Sequence, residues 1–325
     1  MKIAVFGAGS TGCYLGAQLT MGGLDTTLIC RDYIKDKILK NSGITITDYL
    51  GNRNLAMPQA LITEIEKQQF DVVFVTLKCH HLPTAIEDIR RMTTPESHII
   101  FMQNGIGSLS LIEQHLKDRK HALGITQFNV LQMDNAVFHK GTEGDFIVAA
   151  NPATEVIQKH LNNSGFEMSL EKDMQPVVFG KLIMNLNNAL NTIADMPIQQ
   201  QLKNRRLRKI LAAAMREWLA VCSAMQVELK QLAAVKPAVL PKILSLPNWL
   251  FNLVAKKMLD IDPLARSSMW EDIQAKRKTE IEYLNGAVVD LGKKHQIQTP
   301  INALITQQIK HLEQGQQVQL EDLFQ

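Results

Sequence analysis

Three groups of residues in this chain have types and spacing suited to chemistry. The first is Gly7-Ala8-Gly9-Ser10-Thr11-Gly12, a G-x-G-x-x-G turn. Its first glycine permits a tight turn, its second lets phosphates approach the backbone, and its third lets a helix pack closely on a strand. The turn follows an apolar run and opens a helical one. In that context the motif reads as a dinucleotide site, with the helix N-terminus facing the anion. The second group is Lys181, Asn185, Asn188 and Thr192. At about 100° per residue they share one narrow sector of a helix that Leu182, Ile183, Leu186, Ala189, Leu190 and Ile193 otherwise cover. Buried polar groups need partners, so this stripe meets either a structural network or a ligand, and spacing alone leaves both open. Facing a ligand, a lysine among neutral amides has a lowered pKa and donates a proton to a carbonyl oxygen near neutral pH. The third is Glu280, a carboxylate in an apolar row with Met269, Ile273, Leu284, Ala287 and Leu291. Its partner is either Lys276, one turn earlier, or a substrate in an interdomain cleft. Ser268, near the start of the same helical stretch, reads as an N-cap or a substrate contact.

The elements that must position these groups alternate in the first half of the chain. Ile3–Gly7, Thr26–Cys30, Asp71–Leu77 and Ile99–Gln103 are short apolar runs separated by helical patterns, which predicts βαβ units and a mostly parallel sheet. Ligands of such sheets bind outside the carboxyl ends of the strands. The second strand ends at Arg31. A guanidinium there pairs with a 2′-phosphate and favours NADP(H), although neighbouring Asp32 could hold a ribose instead. The next two strand ends carry Lys78 and Asn104, expected near the nicotinamide half of the cofactor. His80-His81 resembles a metal pair, but no further ligands accompany it and no metal site is expected. Val137–Val148 predicts added antiparallel strands turning at Gly141 and Gly144.

Beyond Pro176 the periods are helical: Val177–Ala194, Leu207–Met225, Ser267–Leu291 and Ile301–Gln314. Prolines 237, 241, 247 and 263 predict short helices and turns between them. The reading is a Rossmann-type α/β domain over residues 1–170 and an all-α substrate-binding and catalytic domain over 171–325. The 325 residues carry 35 Lys and Arg against 32 Asp and Glu, a net charge of +3 that argues against a nucleic-acid partner. No apolar run nears the ~18–20 residues of a membrane span. Four scattered cysteines and an N-terminus without a signal-peptide pattern predict a reduced, cytoplasmic setting. The Leu/Ala-rich C-terminal helices would either bury one another or form a homodimer interface.

Together these residues resemble the ketopantoate reductases, within the 6-phosphogluconate-dehydrogenase-like superfamily. The resemblance spans nearly the whole chain. It rests on K-I-A-V-F-G-A-G-S-T-G at the start, V-T-L-K ending at Lys78, Q-N-G-I-G around Asn104, G-K-L-I-M-N from Gly180, and the long block S-S-M-W-E-D-I-Q-A-K-R-K-T-E-I-E-Y-L-N-G from Ser267. It implies that Lys181 is the general acid on the C2 carbonyl oxygen of a 2-keto acid and that Glu280 holds the substrate hydroxyl. Asn104, Asn185 and Ser268 would orient substrate and cofactor, and Arg31 and Lys78 would contact NADPH. The implied product is pantoate, for coenzyme A synthesis. An asparagine that some members carry eight residues after the lysine is Ala189 here, and Asn188, on the lysine's face, is its expected replacement.

Overall fold

The structure, a computed structural model, describes residues 1–66, 68–259 and 262–324. The chain forms two compact units, residues 1–103 with 109–174, and residues 104–108 with 175–325. The segment Asn104–Ser108, expected within the first domain, therefore groups with the helical unit.

In chain order the first unit contains β1 (Lys2–Phe6), α1 (Ser10–Met21), β2 (Asp25–Ile29), α2 (Asp32–Lys40), β3 (Ile44–Asp48), β4 (Arg53–Ala56), β5 (Ala60–Ile62) and β6 (Val72–Val75). It continues with α3 (Leu82–Met92), β7 (His98–Phe101), α4 (Leu109–Leu116), β8 (Lys120–Thr126), β9 (Val130–Gln132), β10 (Val137–Lys140), β11 (Phe146–Ala149), α5 (Pro152–Asn163) and β12 (Met168–Glu171). The main sheet has the order β12-β11-β8-β7-β6-β1-β2-β5 and is parallel except between β8 and β11. Alternation builds both of its faces. Ile3, Val5, Val72 and Phe74 join Tyr14, Leu15 and Leu19 of α1 in one core. Ala4, Val73 and Val75 join Leu82, Ile86 and Ile89 of α3 and Ile112 of α4 in the other. That is why these strands read as unbroken apolar runs. β1 pairs with β2 on one side and β6 on the other, so the strand order reverses beside β1 and opens a crevice at its carboxyl end.

Val137–Val148 supplies the expected antiparallel strands, β10 against β9 and β11 against β8, but divides them between two sheets. β10 belongs to a second sheet, β4-β3-β10-β9, and runs parallel to β3 and antiparallel to β9, whereas β11 is in the main sheet. Gly144, at φ +124°, makes the turn between them, and a Cβ there would sit 2.7 Å from Gln127. The second sheet adds Ile46 and Phe138 to the core beneath α1.

The second unit is helical: α6 (Gln175–Ala194), α7 (Ile198–Lys203), α8 (Arg205–Ala224), α9 (Leu240–Ser245), α10 (Asn248–Val254), α11 (Lys256–Leu259), α12 (Ser268–Gln274), α13 (Asn285–Lys294) and α14 (Pro300–Glu313). α6 packs against α8, α12 and α14. The indole of Trp218 on α8 donates to the Phe179 carbonyl at 3.1 Å and is fully buried. The proline-rich stretch forms short helices, as its prolines require. It is held by Arg208, a buried guanidinium that donates to the carbonyls of Leu202, Leu244 and Leu246 and stacks 4.0 Å over Phe251.

The expected single helix over Ser267–Leu291 is two. α12 stops at Gln274, Lys276 takes a left-handed φ of +52°, and the chain runs irregularly until the turn Ile281–Tyr283 and then α13. Side chains hold the break. Arg277 reaches back to the buried Asp272 carboxylate at 3.0 Å, and Thr279 donates its amide and hydroxyl to Glu313 at 2.7 Å each. Glu280 therefore lies on the irregular segment, not on the face of a helix, and the i,i+4 geometry that would have paired it with Lys276 does not exist. The N-cap of α12 is Ser267, whose hydroxyl accepts from the Trp270 amide at 3.2 Å. Ser268 is the exposed first helical residue.

Candidate active site

Each unit carries one constellation. In the first, the turn Gly7–Gly12 joins β1 to α1 at the reversal of strand order. Its glycines serve different ends. Gly7 has φ +116°, and a Cβ there would lie 2.8 Å from the Leu77 amide; at Gly12 a Cβ would lie 2.0 Å from the Gly7 carbonyl oxygen. At Gly9 a Cβ would have no protein atom within 4 Å. Two glycines are thus demanded by packing, while Gly9 presents bare backbone to open space at the N-terminus of α1, the fit a pyrophosphate requires. Ala8, Ser10 and Thr11 complete the turn. The Thr76 hydroxyl donates to the Gly7 carbonyl at 2.7 Å and clamps it. The sequence reading missed this threonine because it sits inside an apolar run and carries no motif.

Arg31 precedes α2 at the carboxyl end of β2 and is exposed; Lys78 follows β6 and is half-buried. Both act on one imidazole, that of His81, whose pKa lies below the ordinary value through partial burial first and then the charges of Arg31 and Lys78. Among the described residues no group of three or more His, Cys, Asp or Glu is placed to hold a metal ion. The four cysteines are buried, and burial pushes the Cys30 and Cys222 thiols up to about 11 and 12.

In the second unit, the Lys181 ammonium donates to the Asn104 side-chain oxygen at 2.7 Å. Desolvation by burial, the larger influence, lowers the Lys181 pKa to about 8, while the Glu280 carboxylate acts in the opposite sense. Lys181, Asn104 and Glu280 therefore converge. The loop that brings Asn104 there is fixed by close packing. Gly105 has φ +80°, and a Cβ on it would sit 2.1 Å from the Tyr283 carbonyl oxygen, which accepts from the Ile106 amide at 3.1 Å. Gly105 and Gly107 thus seat the loop on the turn that follows Glu280. Tyr283 is a positioning residue with no sequence signal of its own. Gly180 has a similar duty: a Cβ would meet the Lys230 carbonyl oxygen at 2.3 Å, so only glycine fits beside the lysine.

One turn after Lys181, Asn185 has its amide nitrogen buried without a hydrogen-bond partner among the described residues. Beyond that the expected stripe divides. The Asn188 carbonyl accepts from the Ser267 hydroxyl at 2.9 Å and the Thr192 hydroxyl at 2.8 Å. Asn191 donates to the Met196 carbonyl and to Gln201 and accepts from the Ser267 amide, all at 2.9 Å. Gln201 also donates to Asn187 at 2.7 Å. Thr192 is thus part of a structural network and not of the lysine's surroundings. Ala189 is fully buried. Among the described residues no helix is long and apolar enough to cross a membrane.

Residues 3–153 match the family model described as Ketopantoate reductase PanE/ApbA, and residues 173–313 match its C-terminal counterpart. The 2-dehydropantoate 2-reductase of Aquifex aeolicus is 24% identical over 330 residues, covering 95% of this chain and 96% of that one. A PanE/ApbA family ketopantoate reductase from Ralstonia eutropha superposes with a TM-score of 0.82 at 20% identity, covering 98% of this chain and 100% of the other. D-mandelate dehydrogenase in ternary complex with NADH and anilino(oxo)acetate superposes at 0.78 and 22%, covering 97% and 99%. These two likenesses establish a shared fold.

Proposed function

Since this chain belongs to the ketopantoate reductase family of oxidoreductases, we propose that it reduces the C2 carbonyl of 2-dehydropantoate to pantoate with NADPH. The observation that carries the reading is the desolvated ammonium of Lys181, held by Asn104 and balanced against Glu280. When bound, the nicotinamide supplies a hydride to the carbonyl carbon. Lys181 supplies the proton for the oxygen. With a pKa of about 8 it is protonated about ten to one at pH 7, yet it gives up that proton far more readily than a lysine in water. Asn104 aims the ammonium through its side-chain oxygen. The unpartnered Asn185 amide donates to a substrate oxygen, and the Glu280 carboxylate accepts from the substrate hydroxyl. Asn188 and Ser268 complete the proposed substrate contacts.

The turn Gly7–Gly12 fits a dinucleotide pyrophosphate, with bare backbone at Gly9. Two cations at the ends of the strands that flank β1, Arg31 and Lys78, suit a ribose bearing a 2′-phosphate better than a bare diol. On this reading Lys78 serves the adenosine end of the cofactor. Purified protein mixed with 2-dehydropantoate should consume NADPH much faster than NADH, followed by nicotinamide absorbance. A second reading, reduction of another 2-keto acid on the same scaffold, draws support from Ala189, whose buried methyl offers no polar contact. A panel of 2-keto acids run with both cofactors separates the two. Turnover confined to an aryl 2-keto acid with NADH would replace the first reading with the second.

A further inference from the structure

The proposed reaction makes no use of the proline-rich stretch, and there α10 is apolar on two opposite faces. Its inner face is anchored. Phe251 and Ala255 are buried, and Arg208, stacked over the Phe251 ring at 4.0 Å, also donates to the Asn248 side-chain oxygen at 3.0 Å. On the outer face Trp249 and Leu253, one turn apart, are 71% and 74% exposed, and neighbouring Val254 is 55% exposed. Single exposed apolar residues are ordinary. A tryptophan and a leucine at i,i+4 on a helix pinned by its other face form one patch, and such patches mark contact with another apolar surface.

The charges around this patch have one sign. Residues 229–259 hold five lysines and no aspartate or glutamate. Of these, Lys242 on α9 and Lys256, directly after Ala255, are exposed. Two cations of α8 join them at the end of α9. Arg205 donates to the Ser245 carbonyl at 3.4 Å and Arg216 to the Ser245 hydroxyl at 2.7 Å. Glu217, next to Arg216, is turned to α14, where it accepts from the Ile301 and Asn302 amides at 2.8 and 2.9 Å. Asp262 spends its carboxylate on the Leu264 amide at 2.8 Å.

We propose that this face docks on a bilayer surface rich in anionic phospholipid. Trp249, Leu253 and Val254 enter the headgroup region, and Lys242, Lys256, Arg205 and Arg216 meet the lipid phosphates and carboxylates. The boundary between water and hydrocarbon is where an indole is most favourably placed. An apolar patch with a basic rim supplies the two signals that stable peripheral binding needs. Charge and area both argue against a second copy as the occupant. A two-fold axis would set lysine against lysine, and three side chains fall well short of the ~800 Å² that each partner of a stable dimer contributes.

The test is binding of the full chain to vesicles of phosphatidylcholine alone or with about one-third phosphatidylserine, read by co-sedimentation and tryptophan emission. Trp218 is buried and Trp270 donates to Asp195, so a change at Trp249 dominates the emission. Wild type should bind the anionic vesicles in low salt, with emission shifted to shorter wavelength, and should release them in about 0.5 M salt. Trp249→Phe should abolish the shift and keep binding within about threefold. Trp249→Ser with Leu253→Ser should weaken binding more than tenfold, and Lys242→Glu with Lys256→Glu at least twentyfold, since each cation contributes roughly fivefold. Melting temperatures should match wild type throughout, because these side chains are exposed. No binding in low salt, equal binding to both vesicles, or binding that survives the paired serine substitutions would overturn the proposal. An emission shift that grows with protein concentration without lipid, alongside a doubled mass, would assign the face to a second copy and overturn it equally.

Discussion

Two stretches of one helix, α6, both carry polar residues on a largely buried surface, and they resolve the problem in opposite ways. Around its C-terminal half, Asn187, Asn191, Thr192, Gln201 and Ser267 form a closed network in which the amides of Asn191 and Gln201 are spent on protein partners. Around its N-terminal half, Lys181 is desolvated enough to lower its pKa to about 8, and Asn185 keeps a buried amide nitrogen unsatisfied. A satisfied network rigidifies a fold. An unsatisfied donor costs about 1–3 kcal/mol, a cost that persists where a ligand completes the bond. The difference separates scaffold from site on a single element.

The comparison breaks or sharpens under mutation. Lys181→Met should lower turnover about a thousandfold while leaving the melting temperature unchanged or raised, because it removes a desolvated charge. Steady-state kinetics and thermal melts on the same preparation measure both. Asn191→Ala should behave in reverse, losing about 2–4 kcal/mol of stability by denaturant titration while activity per folded molecule stays within a few-fold. Asn185→Ala should raise KM about tenfold with no loss of melting temperature, since its amide nitrogen has no hydrogen-bond partner among the described residues. If Asn185→Ala melted as early as Asn191→Ala, the distinction between the two halves of α6 would be lost.

What the sequence disclosed follows from the range of the forces involved. The glycine turn, the buried parallel strands and the helices flanking the proline-rich stretch are local patterns, and they emerged at or near their expected positions. The stripe on α6 was visible, but its division was not, because Gln201 and Ser267 reach it from other elements. Glu280 was singled out for the wrong reason. Apolar periodicity continued through Lys276, whose left-handed backbone ends the helix, and the carboxylate acts on the Lys181 charge from an irregular segment. The second sheet was illegible because its short strands pair across long sequence separations: β3 with β10 joins Thr45 to Val137. Thr76 and Tyr283 act through one hydroxyl and one backbone carbonyl, which no residue type announces.

The most direct test of Lys181 as the proton donor is the pH dependence of kcat/KM for 2-dehydropantoate reduction, in wild type and in Glu280→Gln. Reduction needs the ammonium, so kcat/KM should fall above pH 8, by about tenfold per unit once the lysine is neutral. Removing the carboxylate that favours the ammonium should move that fall to lower pH. A profile flat to pH 9.5, or one whose break Glu280→Gln leaves in place, would contradict the assignment.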